Sequence, residues 1–173
     1  MNESRCSDLP DTSRNCRDKP ADDDHANVNF PPPLIHGAGV FSGVALATLF
    51  PLTVPSTAWI LWLGAGLMVA ALLIAGWAFR EFGLHRNPVP PNQAVNRLMI
   101  SGPFCFTRNP LYLALALMHA GLGLISNNVW LLLTLAPSLL IVRYYVITRE
   151  EAYLTRRFGA AYRDYQARVR RWF

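Results

Sequence analysis

The sequence predicts an all-α integral membrane protein: four transmembrane helices, then a cytoplasmic C-terminal amphipathic helix. Three observations predict it. Apolar residues make up 52% of the 173 residues and are gathered into long runs instead of being interleaved with polar ones. All 16 Lys and Arg fall in three segments: before residue 20, from Arg80 to Arg108, and from Arg143 onward. With four spans, those basic segments lie on one side of the bilayer and the two turns without Lys or Arg on the other, as the positive-inside rule requires. Both termini and the middle loop are therefore expected in the cytoplasm.

Residues 1–33 are polar, proline-containing and rich in acid, with no apolar stretch of the kind a signal peptide carries. They read as a disordered acidic N-terminal tail, and residues 34–173 as the membrane domain. The run Asp22–His25 (DDDH) reads as a solvated acidic patch and not as a cation site. Cys6, Cys16 and Cys105 are too few and too scattered for a disulfide framework or a metal-binding CxxC pair. There is no internal repeat, GxGxxG or P-loop, which argues against soluble dinucleotide chemistry. Neither a metal nor a nucleic acid is expected as a partner.

No charged residue occurs from Leu34 to Phe79, and Pro51 and Pro55 divide this run into spans at 34–52 and 57–79. Each approaches or exceeds the roughly 20 residues that a helix needs to cross the hydrocarbon. A second uncharged run, from Leu111 to Val142, is divided by Ser126-Asn127-Asn128 into spans at 109–125 and 129–147. The first of these is short; it must borrow length from Arg108–Pro110 or sit in a locally thinned bilayer. Pro137 predicts a kink in the second. Residues 148–173 read as cytoplasmic helices, with Gly159 as a helix stop. Beyond it, Tyr162, Tyr165, Val169 and Phe173 share one face, between Arg163, Arg168, Arg170 and Arg171. This pattern predicts a basic helix docked on the cytoplasmic leaflet.

Candidate chemistry gathers at one end of the bundle. In SGPFCFTRNPLYLALAL (Ser101–Leu117), Asn109 and Pro110 are helix-start residues, and Arg108 can snorkel to the headgroups. Helix-start chemistry leaves the Gly102-Pro103-Phe104 turn and Tyr112 unexplained. From residue 30 on, the only acids are Glu81, Glu150, Glu151 and Asp164. Carboxylates near a bilayer surface usually have a partner or ligand, although Glu150 and Glu151 can also be read as helix-surface residues on a solvated face. Spans three and four form a hairpin, which sets Arg108–Tyr112 beside Tyr144–Glu151.

These residues resemble the isoprenylcysteine carboxyl methyltransferase family, in its bacterial membrane branch related to phospholipid methyltransferases. The resemblance covers about residues 83–173 and is carried by Gly102, Pro103, Phe104, Arg108, Asn109, Pro110, Tyr112, Glu150, Glu151, Leu154, Phe158, Gly159, Tyr162 and Tyr165. The first two spans match in kind only. The resemblance implies that residues 34–173 form an S-adenosylmethionine-dependent methyltransferase domain. It further implies cofactor binding by Gly102, Pro103, Phe104, Arg108, Asn109, Pro110, Tyr112, Glu150 and Glu151, with catalytic roles for Arg108, Tyr112 and Glu151. Arg108 would take the cofactor carboxylate, Glu150 or Glu151 its ammonium or ribose, and Tyr112 would wall the adenine or sulfonium. The acceptor would be the carboxylate, thiol or amine of an apolar or lipidated molecule entering from the bilayer. Many relatives have His where this chain has Asn109, which cannot titrate, so no imidazole role carries over. A phospholipid N-methyltransferase, a non-catalytic scaffold of the same fold and a nicotinamide-dependent reductase of the sterol type are the competing readings.

The remaining polar residues carry weaker expectations. His119 either faces the site or bonds a neighbour inside the bundle, His36 is expected at the interface, and His85 and Arg86 in a lid loop or in a solvated one. Gly64, Gly66 and Gly76 are expected to offer small surfaces for helix packing.

Overall fold

The structure is a computed structural model and describes residues 30–55, 57–87, 95 and 97–172. The expected acidic tail lies almost wholly outside the described residues, as does most of the expected lid after Asn87. Among the described residues the chain is helical: α1 (Pro32–Leu49), α2 (Ala58–Leu84), a 3-10 turn (Gly102–Cys105), α3 (Pro110–Ile125), α4 (Val129–Ile141), a π turn (Val142–Ile147), α5 (Thr148–Phe158) and α6 (Ala160–Arg168). The one extended pairing among them is an isolated bridge between Thr53 and Asn128.

Three helical stretches are long and apolar enough to cross a membrane: Pro32–Leu49, Ala58–Leu84 and the unbroken run Val129–Phe158. Helix α3 is apolar but has 16 residues, about 24 Å at 1.5 Å per residue, short of a bilayer's hydrocarbon. Its length is limited at both ends. Pro110 starts it after a segment tied down elsewhere, and Ser126 ends it in a tight turn. The other boundaries also move from their expected places. α2 continues past Phe79 to Leu84, carrying Arg80 and Glu81 on helix. The last span runs through Pro137 without a break, and its departure from α geometry comes later, at Val142–Ile147.

α2 packs on α3 and α1 on α4, while α3 against α4 joins the two pairs. The α2–α3 contact is backbone to backbone: a Cβ added at Gly121 would stand 2.9 Å from Gly64 O, and one at Gly64 3.1 Å from Gly121 O. Small residues permit that approach in a medium where no hydrophobic force presses helices together. Gly66 and Gly76 do not share the role expected of them, because a Cβ at either would meet open space. Phe41, Trp62 and Leu73 are each more than two-thirds exposed, a large apolar surface of the kind lipid covers.

The up-and-down path brings the two turns without Lys or Arg together. Val54 N donates to Asn127 O at 3.2 Å, Val129 N to Leu52 O at 3.3 Å and Trp130 Nε1 to Phe50 O at 2.6 Å. Asn128 caps α4, its Oδ1 accepting from Trp130 N and Leu131 N at 2.9 and 3.3 Å. The starts of α1 and α3 and the ends of α2 and the last span therefore meet at the opposite pole.

His36 is not interfacial. It is 4% exposed, and its Nδ1 lies 3.2 Å from that of the equally buried His119, whose Nε2 is 3.4 Å from Thr134 Oγ1. Burial of a neutral ring favours such a partner over unpaired solvation, and the pair sits within the bundle away from the candidate site.

The helix expected over Ala160–Phe173 also differs. α6 stops at Arg168, and Tyr162 and Tyr165 are buried against the protein instead of resting on a leaflet. Val169 has extended backbone, and the chain turns back toward Arg108.

Gly102 has φ +60°, and a Cβ there would fall 2.7 Å from Glu81 Cγ and 2.8 Å from Cδ. The Glu81 carboxylate is itself buried and accepts from Ser101 Oγ at 2.8 Å, so it has little freedom to retreat. Gly102→Ala is expected to cost about 2 kcal/mol or more, from the left-handed backbone plus the clash, and to lower the apparent Tm in detergent. An unchanged Tm would show that the turn does not need this glycine.

Candidate active site

A cavity of about 490 Å³ opens at the pole where the basic segments converge. Its polar wall is formed by Arg108, Asn109, Tyr112 and Glu150, with the rings of Phe104, Tyr153, Tyr162 and Tyr165 around it. Its other arm is apolar and runs between α2 and α3, past Ala75, Phe79, Leu115 and Met118.

Local backbone features aim the polar groups. Arg108 sits just before α3, and its N–H donates to Arg170 O at 3.1 Å. Asn109 holds the N-cap position but makes no side-chain cap; its Nδ2 donates to Arg171 O at 3.0 Å. A side-chain amide can do this without titrating. Tyr112, in the first turn of α3, donates its hydroxyl to Glu150 Oε1 across the hairpin. The π turn fits an extra residue into the helix and so rotates α5 by about 100° relative to a continuous α-helix. Val142, Val146 and Ile147, on that turn, are fully buried, and α5 leaves it with Glu150 facing the cavity.

Glu151 points the other way and lies between two arginines. Arg171 grips it as a fork, Nε to Oε1 at 2.9 Å and Nη2 to Oε2 at 2.7 Å. Arg108 Nη1 stands 3.2 Å from the same Oε1. Side-chain exposure falls from 35% at Arg171 to 13% at Glu151 and 11% at Arg108, so the three form a file from rim to interior. At its inner end, Arg108 Nε is buried with no hydrogen-bond partner, and Nη1 has only the ion pair. Desolvated guanidinium donors of this kind are costly unless something accepts from them.

The rings brace this arrangement. Burial, with the Glu151 charge adding to it and Arg108 opposing, pushes the Tyr162 phenol up to about 12. It thus stays protonated, with its oxygen toward the Arg108 guanidinium, which can only donate. Tyr165 donates to Phe104 O at 2.7 Å, pinning the 3-10 turn to α6. Tyr153 accepts from Val95 N at 3.1 Å.

Of the residues singled out from sequence, the structure gathers Phe104, Arg108, Asn109, Pro110, Tyr112 and Glu150 around the cavity. Gly102 and Pro103 lie behind it in the turn that carries Phe104, and Glu151 lies behind Arg108. His85 is also outside it, with Nε2 3.2 Å from Ser101 Oγ. Sequence reasoning did not place Arg171 in the site; it is one of several arginines in a stretch that reads as a basic helix docked on the leaflet. The Glu150–Tyr112 and Glu151–Arg171 partnerships replace the helix-surface reading of the two acids. Among the described residues, no three His, Cys, Asp or Glu side chains are grouped to hold a metal ion.

The bundle thus combines helices long and apolar enough to cross a membrane with a half-polar, half-apolar cavity at one pole. The profile of the phospholipid methyltransferase family matches residues 59–161, more than half of the chain, and the chain belongs to that family. The family is one of methyltransferases within the isoprenylcysteine carboxyl methyltransferase-like group. A protein of Haemophilus influenzae described as uncharacterized is 37% identical over 62 residues, 36% of this chain and 98% of that protein. No solved structure matches the chain.

Proposed function

We propose that this protein transfers a methyl group from S-adenosylmethionine to a carboxylate, thiol or amine of an apolar or lipidated acceptor, at the cytoplasmic face of a membrane that it crosses four times. The observation that carries the reading is Arg108, which lines a cavity with an apolar far arm while its own Nε is buried without a hydrogen-bond partner.

The residues present fit the cofactor. Its carboxylate would accept from the free edge of Arg108, reinforced by the positive end of α3, and its ammonium would pair with Glu150. Tyr112 holds the Glu150 carboxylate in place, and Phe104 with Tyr162 offers ring faces to the adenine or the sulfonium. The bound cofactor supplies an activated methyl on a sulfonium. The protein's contribution is to align acceptor and methyl and to keep water out, which the apolar arm between α2 and α3 does while admitting a hydrocarbon chain. A phospholipid amine as acceptor is favoured by the family match, and a carboxylate or thiol by the more detailed motif resemblance.

Calorimetry on the detergent-purified protein tests the reading. S-adenosylmethionine and its demethylated product should both bind, and NADPH should not. Folded protein that binds neither sulfur ligand would sink the proposal, and binding of NADPH instead would favour a reductase. With binding established, radiolabelled methyl transfer to phosphatidylethanolamine vesicles or to a prenylated cysteine separates the acceptor classes.

A further inference from the structure

Arg171 does not line the cavity, yet both its backbone and its side chain are held in place. Its carbonyl oxygen accepts from both Thr107 Oγ1 and Asn109 Nδ2, at 2.9 and 3.0 Å. The preceding carbonyl, of Arg170, accepts from Arg108 N at 3.1 Å. Three consecutive residues, Thr107 to Asn109, thus fasten the strap that comes after α6, and their anchor points on it are adjacent. The consequence lies at the strap's side chain. With its backbone fixed, Arg171 reaches Glu151 and meets both carboxylate oxygens.

Two guanidinium charges therefore share one carboxylate, and the file carries a net charge of +1. Without Arg171, Glu151 would be free to turn both oxygens onto Arg108, whose Nη1 already lies 3.2 Å from Oε1. A bidentate pair would then use up donors of Arg108, a residue that lines the cavity. With Arg171 present, the carboxylate is already saturated, and Arg108 keeps an unspent edge.

We infer that Arg171 is a positioning residue: by holding Glu151 in a fork, it reserves Arg108 for an anionic group of the ligand. The inference rests on the cofactor reading above, in which that group is the carboxylate of S-adenosylmethionine or of its demethylated product. Arg171 acts through Glu151 and touches no ligand. Asn109 belongs to the same device as an anchor for the strap.

A double-mutant cycle on the full chain tests this, with binding of the demethylated product read by calorimetry and folding checked by apparent Tm. Arg171→Ala is expected to weaken binding by roughly tenfold, because Glu151 then competes for Arg108. Removing the competitor's charge as well, in Arg171→Ala with Glu151→Gln, is expected to recover most of that loss. Arg171→Lys, which keeps the charge but not the fork, should fall between wild type and Arg171→Ala. A double variant that binds worse than Arg171→Ala would overturn the inference while leaving the cofactor reading intact. Folded wild-type protein that does not bind the product would overturn both.

Discussion

Arg108→Ala is expected to reduce binding of S-adenosylmethionine and its demethylated product by at least about 100-fold, without unfolding the bundle. The size of the effect reflects burial. The Arg108 side chain is 11% exposed, and its Nε finds no acceptor among the described residues. A ligand carboxylate at that edge gains a charge-assisted bond in a place where water competes poorly. Deleting the guanidinium removes this bond and also leaves Glu151 and Arg171 as a neutral pair, so the file loses its net positive charge. Stability should change little, because the strap is fastened through the backbone of Arg108, which alanine keeps. A Glu150→Ala, Glu151→Ala double variant is expected to lose binding as well. Calorimetry beside a thermal melt decides the matter: a folded Arg108→Ala protein with wild-type affinity would refute the assignment of the site.

The largest effect on stability is expected at Gly121. A leucine there would drive its Cβ to 2.9 Å from Gly64 O and 3.0 Å from Met68 Cγ. The methionine can move, but the carbonyl belongs to helical backbone and can retreat only if α2 and α3 separate. These two helices frame the apolar arm of the cavity, so Gly121→Leu should cost about 3 kcal/mol and open that arm. Gly66→Leu is the control, because a Cβ there meets nothing within 4 Å. Comparable apparent Tm values for the two variants in the same detergent would show that the α2–α3 contact is not the tight one.

How far the fold and the site are legible in the sequence depends on the kind of signal each residue leaves. Uncharged runs and proline turns mark spans directly, because a bilayer penalises any charge placed in them, and so α1, α2 and the last helix lie close to their expected places. Helix α3 is legible as an apolar segment, together with its shortness. The hairpin makes the meeting of Arg108–Tyr112 with Glu150 foreseeable, since two antiparallel helices joined by a tight turn have no other arrangement. His36 escapes this logic, because a histidine near a helix start looks interfacial and only the packing of α1 on α4 brings it to His119.

The two glutamates mark the boundary. Sequence alone determined that adjacent carboxylates follow the last uncharged run, because composition along the chain shows it. It left their roles equal. Tertiary structure decided that Glu150 turns to Tyr112 and the cavity while Glu151 turns to Arg171, because neighbours on a helix are separated by about 100° and must face different surroundings. Arg171 likewise had its partner decided by tertiary structure. Its partner lies 20 residues earlier, and its position is set by hydrogen bonds from Thr107 and Asn109 that exist only once the chain after α6 has folded back.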